Sequence, residues 1–204
     1  TIPRRIGFFS RWSTPLCFTI VYMFPMRCPD YADEVRSIAV NPFANWSVNM
    51  SSTSARIDRS LELFHAGCAC SQAVFAAYSD LFGIDEACAM RLSCGLGAGV
   101  GRLRNVCGAV SAMALLAGLK YGSETPGDAE AKRKTYEVVR QMASAFQARH
   151  GSIVCRELLG TIRSETSAVP SERTTAYYAT RPCARLVADA ASIIEATLLV
   201  PDAP

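Results

Sequence analysis

Residues 105–122 read NVCGAVSAMALLAGLKYG, and this stretch decides the fold class. No charged residue stands between Asn105 and Gly118, and the apolar residues surround a helical period instead of forming one stripe. A helix that is apolar all round must be covered on most sides by other elements. Asn105 is the expected N-cap of this helix, and Gly118 to Gly122 mark its end.

The segments on either side also read as helices. On the N-terminal side, Ile57, Leu61 and Phe64 trace a first helix closed by Gly67. Val74, Tyr78 and Leu81 mark a second, closed by Gly83, and Asp85 starts a third that ends near Cys94. A glycine-rich run, Gly95-Leu-Gly97-Ala-Gly99-Val-Gly101, leads into the apolar helix. On the C-terminal side, Pro126 and Gly127 lie in a loop. Tyr136, Val139, Ala143 and Phe146 then share one face of a long helix ended by Gly151. Ser152 is expected to open a short helix through Leu159, and residues 161–175 read as polar and irregular. Leu186, Ala190 and Ile193 lie on one face of a last helix over about 181–199. No alternating strand pattern appears. The expected fold is all-α, a small bundle of about six to seven helices preceded by an irregular N-terminal segment.

That segment differs from the rest. Residues 1–49 are rich in proline, arginine and aromatics, with no steady period. Arg4 and Arg5 before the apolar run from Leu16 to Met26 superficially resemble an export signal, but Pro15 and Pro25 interrupt the pattern and no A-x-A site follows. Met50 begins MSSTSARIDRSLELF, which reads as an ordinary cytosolic start running into a helix. Residues 1–49 are therefore expected to be an extension outside the fold, an over-long gene reading or a leader, with the helical domain over 50–204.

Charge and composition narrow the function. The chain has 204 residues, half of them hydrophobic, and a net charge of +3. Residues 1–49 carry five arginines against three acids, so the folded part is nearly neutral and does not read as a nucleic-acid binder. No apolar run reaches the roughly 18–20 residues that a membrane span needs. No Ser/His/Asp set or paired-carboxylate motif stands out. The nine cysteines are an odd number without the spacing of a secreted disulfide scaffold, which points to a reducing, cytoplasmic setting.

Four ordered boxes carry a resemblance. They are Gly67-Cys68-Ala69-Cys70-Ser71-Gln72-Ala73-Val74; Val106-Cys107-Gly108-Ala109; Cys155-Arg156-Glu157-Leu158-Leu159-Gly160; and Cys183. Phe82-Gly83-Ile84-Asp85, the run Gly95–Gly101 and Gly118-Leu119-Lys120-Tyr121-Gly122 fall between them. Over about 56–197 the chain resembles the redox-active family named after its C…GCAxxG…C…C cysteine pattern. Ala112 stands where the motif has its last glycine, and Ala69 where asparagine is usual. The resemblance implies Cys70, Cys107, Cys155 and Cys183 as the functional set. Members are often encoded near transporter genes, and similar domains occur in some multi-haem cytochromes.

Each of the four cysteines is expected near a helix start, where free N–H groups and the helix dipole favour thiolate. Thiolate is the form that attacks disulfides and binds metal. The set therefore reads as Fe–S ligands or as redox thiols for electron transfer; zinc is the alternative cofactor. Scattered ligands favour Fe–S over zinc, because the chain has no paired C-x-x-C knuckles. The competing function is a non-enzymatic metal-binding or interaction module tied to a transport system. Gly97, Gly99 and Gly108 are the backbone positions expected to approach the cofactor. The glycine run is not a dinucleotide loop, since no strand precedes it. Cys17, Cys28, Cys68, Cys88 and Cys94 read as packing residues, and His65 and His150 as surface or helix-end histidines. Arg156 is expected beside Cys155, and Arg102 and Arg104 beside Cys107. The expected partner is a redox protein of unspecified kind, without nucleic acid, and self-assembly into a homo-oligomer is left open.

Overall fold

The computed structural model describes residues 50–160 and 167–200; the expectations placed on residues 1–49 lie outside these. Eight α-helices cover most of the described chain: α1 (Met50–His65), α2 (Cys70–Ala76), α3 (Glu86–Cys94), α4 (Gly108–Tyr121), α5 (Ala129–His150), α6 (Cys155–Leu158), α7 (Thr175–Thr180) and α8 (Cys183–Leu198). A 3-10 turn at Ser79–Phe82 links α2 to α3. Among the described residues the only β pairing is an isolated antiparallel bridge, Val106 to Val154. The all-α expectation holds.

The apolar helix is α4, and it is covered as its sequence requires. Gly108, Ala109, Val110, Ala112, Met113, Leu116 and Ala117 are buried. It packs between α2 and α5, while α8 crosses both α1 and α5 and reaches α4. Val74, Phe75, Phe146, Met142, Val187, Ile193 and Ile194 fill the space between them. At about 25 cal/mol per Å² of buried apolar surface, side chains of this size supply most of the drive to fold.

Several helix boundaries differ from the sequence reading. Asp85 and Asp128 cap α3 and α5, each accepting a hydrogen bond from the backbone N–H three residues on. Asn105 does not cap α4; the cap is Cys107, and the Asn105 carbonyl accepts instead from Cys155 N at 2.6 Å. The short helix opens at Cys155 and not at Ser152, whose hydroxyl accepts from Val154 N and so forms a turn before it. Thr174 caps α7, a helix absent from the sequence reading. The turns α7 and Ser79–Phe82 are too short to show a hydrophobic period.

Two polar contacts tie distant segments together. Tyr78, fully buried, donates to Glu195 at 3.1 Å, and Arg56 holds Asp80 at 2.7 Å. No helix among the described residues is long and apolar enough to cross a membrane.

Candidate redox site

The four motif cysteines reach one place because each stands at a helix start. Cys70, Cys155 and Cys183 are the first residues of α2, α6 and α8, and Cys107 is the cap of α4. A short zipper joins two of these starts: Cys107 N donates to Ile153 O at 2.8 Å, Cys155 N to Asn105 O, and Arg156 N to Arg104 O at 3.2 Å. At α2, Gln72 Oε1 accepts from Ala69 N at 2.9 Å. Ala69 has no side-chain acceptor with which to return the bond, so only this half of a capping box forms.

The glycine run folds over the site. Residues 98–102 all have positive φ, between 54° and 73°, and three of them (Ala98, Val100 and Arg102) are not glycine. Left-handed backbone costs a non-glycine residue about 1–2 kcal/mol. The loop is held by Gly101 N to Gly95 O at 2.8 Å and Asn105 N to Gly99 O at 3.0 Å. Strain of this kind concentrates at functional sites.

Close approach explains the three glycines singled out from the sequence. A Cβ on Gly108 would lie 2.7 Å from Cys70 Sγ and 2.9 Å from Leu96 O. One on Gly99 would lie 2.8 Å from Cys155 Cβ, and one on Gly97 would lie 2.7 Å from Ala69 Cβ. Each glycine lets backbone press against a cysteine or its neighbour.

The electrostatics separate the four sulfurs. Hydrogen bonding from Cys107, and then from the backbone amides of Ala98, Ser71 and Gly108, favours the Cys70 thiolate. Together these outweigh burial and lower the Cys70 pKa from 9.0 to about 6. The same hydrogen bond, with burial and the neighbouring negative charge, pushes Cys107 well above its ordinary range. Burial first and then the Cys70 charge raise Cys155, against an Arg104 hydrogen bond that lowers it. Burial and the same charge push Cys183 up to about 12. These surroundings favour the thiolate at Cys70 and the neutral thiol at Cys107, Cys155 and Cys183.

These sulfurs line a cavity of about 480 Å³ together with Phe64, Tyr177, Arg104, Arg173 and Arg181. All seven described cysteines are free thiols. Among the described residues no three His, Cys, Asp or Glu side chains are gathered around one point as a metal ion requires. The remaining sequence candidates fall away from the cysteine pair. Cys94 is exposed at the rim, and Cys68 lies 4.0 Å from Met90 Sδ. His150 pairs with Asp189 at 3.0 Å and His65 stacks on Tyr178. Arg104 serves Cys155 and not Cys107, Arg102 binds Ser167 O, and Arg156 is exposed. Sequence reasoning missed Arg173, Tyr177 and Arg181: the two arginines flank the short helix α7, so no helical period marked them.

The model of the family described as "Putative redox-active protein (C_GCAxxG_C_C)" matches residues 68–197. The chain belongs to this family. No curated protein and no solved structure matches it.

Proposed function

We propose that this protein is a thiol redox carrier in which Cys70 and Cys107 form the working pair. The observation that carries this reading is the packing of the Cys70 sulfur against the start of α4 beside Cys107, where a Cβ on Gly108 would lie 2.7 Å from it, in surroundings that favour its thiolate. A thiolate is the attacking species in thiol–disulfide exchange, and a neighbouring thiol resolves the mixed disulfide. Oxidation removes two electrons from the pair and the proton from Cys107, and leaves one S–S bond. Reduction by a partner protein in a reducing, cytoplasmic compartment reverses it. Cys155 and Cys183 stay protonated and shield the pair from water.

A second reading draws on a different observation. All four motif cysteines line the same cavity, and four thiols are the donor set of an Fe–S cluster. Cys70, Cys107, Cys155 and Cys183 would hold such a cluster, which supplies one-electron transfer when bound. A structural zinc would use the same sulfurs, as expected for a non-enzymatic module.

The test is a redox titration of the full chain purified without oxygen, with iron, zinc and acid-labile sulfide measured on the same sample. The pair predicts a two-electron transition that consumes two thiols and is lost in Cys107→Ala, with no stoichiometric metal. Iron with equimolar sulfide and a one-electron transition would establish the cluster instead.

A further inference from the structure

The Cys70 cavity carries far more positive charge than a packing defect or a bare thiol pair needs. Arg102, Arg104, Arg173 and Arg181 line it, and no carboxylate does so among the described residues. Arg104 is only 4% exposed, and its Nε has no hydrogen-bond partner. Arg173 Nη1 is likewise buried and unpartnered, while Nη2 donates to Cys68 O at 3.0 Å. A buried guanidinium N–H without a partner is costly, and a charged ligand that supplies the acceptor recovers that cost. The guanidinium planes are also fixed in place. Arg173 sits 4.8 Å from the Phe64 ring and 4.5 Å from Tyr177, and Arg181 sits 4.7 Å from Tyr177. Such a stack leaves the guanidinium edges directed for paired contacts to a planar anion while the faces are occupied.

Four arginine groups, aromatic and leucine walls and about 480 Å³ define an occupant that is anionic, organic and small. The Cys70 thiolate in the same wall defines its chemistry. We propose that the cavity binds a small-molecule disulfide bearing carboxylate groups, with Arg104 and Arg173 holding the carboxylates beside Cys70. This rests on the redox-pair reading above for the chemical step, and on the arginines alone for binding. In that step the Cys70 thiolate bonds to one ligand sulfur, the ligand S–S bond breaks, and the other half leaves as thiolate. Cys107 then gives its proton to the departing thiolate and its sulfur bonds to Cys70, releasing the second half. The ligand gains two electrons, the pair loses two, and no other reactant is required.

The experiment compares two disulfides on the reduced full chain: dithiobis(nitrobenzoate), a dianion, and dithiodipyridine, which is neutral. The fast phase is assigned to Cys70 by its loss in Cys70→Ser. Arg173→Met and, separately, Arg104→Met should slow the dianion at least about tenfold and the neutral reagent less than about threefold, the scale of one charge-assisted contact. Binding of isophthalate, a dianion without sulfur, is measured calorimetrically on the same proteins and should weaken by a similar factor. Equal slowing of both disulfides, or isophthalate binding that is absent or unchanged in both variants, would overturn the anion site. Persistence of the fast phase in Cys70→Ser with isophthalate binding intact would overturn the redox pair while leaving the anion site standing.

Discussion

Replacing Cys107 by alanine removes the strongest single influence holding Cys70 in its thiolate form. Three N–H donors remain at the sulfur, opposed by burial. A hydrogen bond to a charged group contributes about 1.5–3 kcal/mol, or about one to two pKa units. Cys70 should therefore move from about 6 in the native chain to about 7–8 in Cys107→Ala. At pH 6.5 its thiolate fraction falls from roughly three quarters to a quarter or less. The assay is the alkylation rate of the Cys70 peptide by iodoacetamide as a function of pH, read by mass spectrometry so that the other cysteines do not interfere. Cys107→Ser retains a hydroxyl donor and should fall between the two. An inflection at the same pH in the native and alanine proteins would refute the hydrogen-bond account, as would a native inflection at the ordinary value.

Three further outcomes follow from the geometry. Gly99→Ala places a Cβ 2.8 Å from Cys155 Cβ at a backbone φ of +73°, so it should destabilise by about 1–3 kcal/mol in denaturant melts. Tyr78→Phe leaves the buried Glu195 without its donor and should cost about 1–3 kcal/mol, with Glu195→Leu in the same chain recovering part of the loss. The reduced protein should gain stability as pH rises from about 6 to 9, because Cys70 ionises more readily folded than unfolded. Above 9 it should lose stability, because Cys107 and Cys183 ionise only at higher pH when folded. Cys70→Ser should abolish the rise between 6 and 9, as followed by thermal melts across that range.

The sequence told most about features set by local chemistry. Asp85 was a recognisable helix start, Gly67, Gly83 and Gly151 end or follow helices with positive φ, and the apolar run from Val106 to Leu119 demanded burial. The family motif gave the four cysteines, and they do stand at helix starts, although Asn105 and Ser152, from which two of those starts were read, do not cap the helices. What depended on contacts between distant segments was not legible. Asn105 looked like a cap, yet its carbonyl is taken by Cys155, fifty residues away. Left-handed Ala98, Val100 and Arg102 break the rule that glycine marks positive φ, because loop hydrogen bonds impose the conformation. The difference between Cys70 and its three neighbours arises only when Cys107, Ala98, Ser71 and Gly108 converge on one sulfur.

The central claim is that Cys70 and Cys107 are partners. Its most direct test is to oxidise the anaerobically purified, fully reduced full chain with one equivalent of diamide and map the disulfide-linked peptides. The account predicts one dominant bond, Cys70 to Cys107, with Cys155 and Cys183 still free. A dominant bond involving any other pair, or no bond at all while Cys70 and Cys107 remain titratable as thiols, would contradict it.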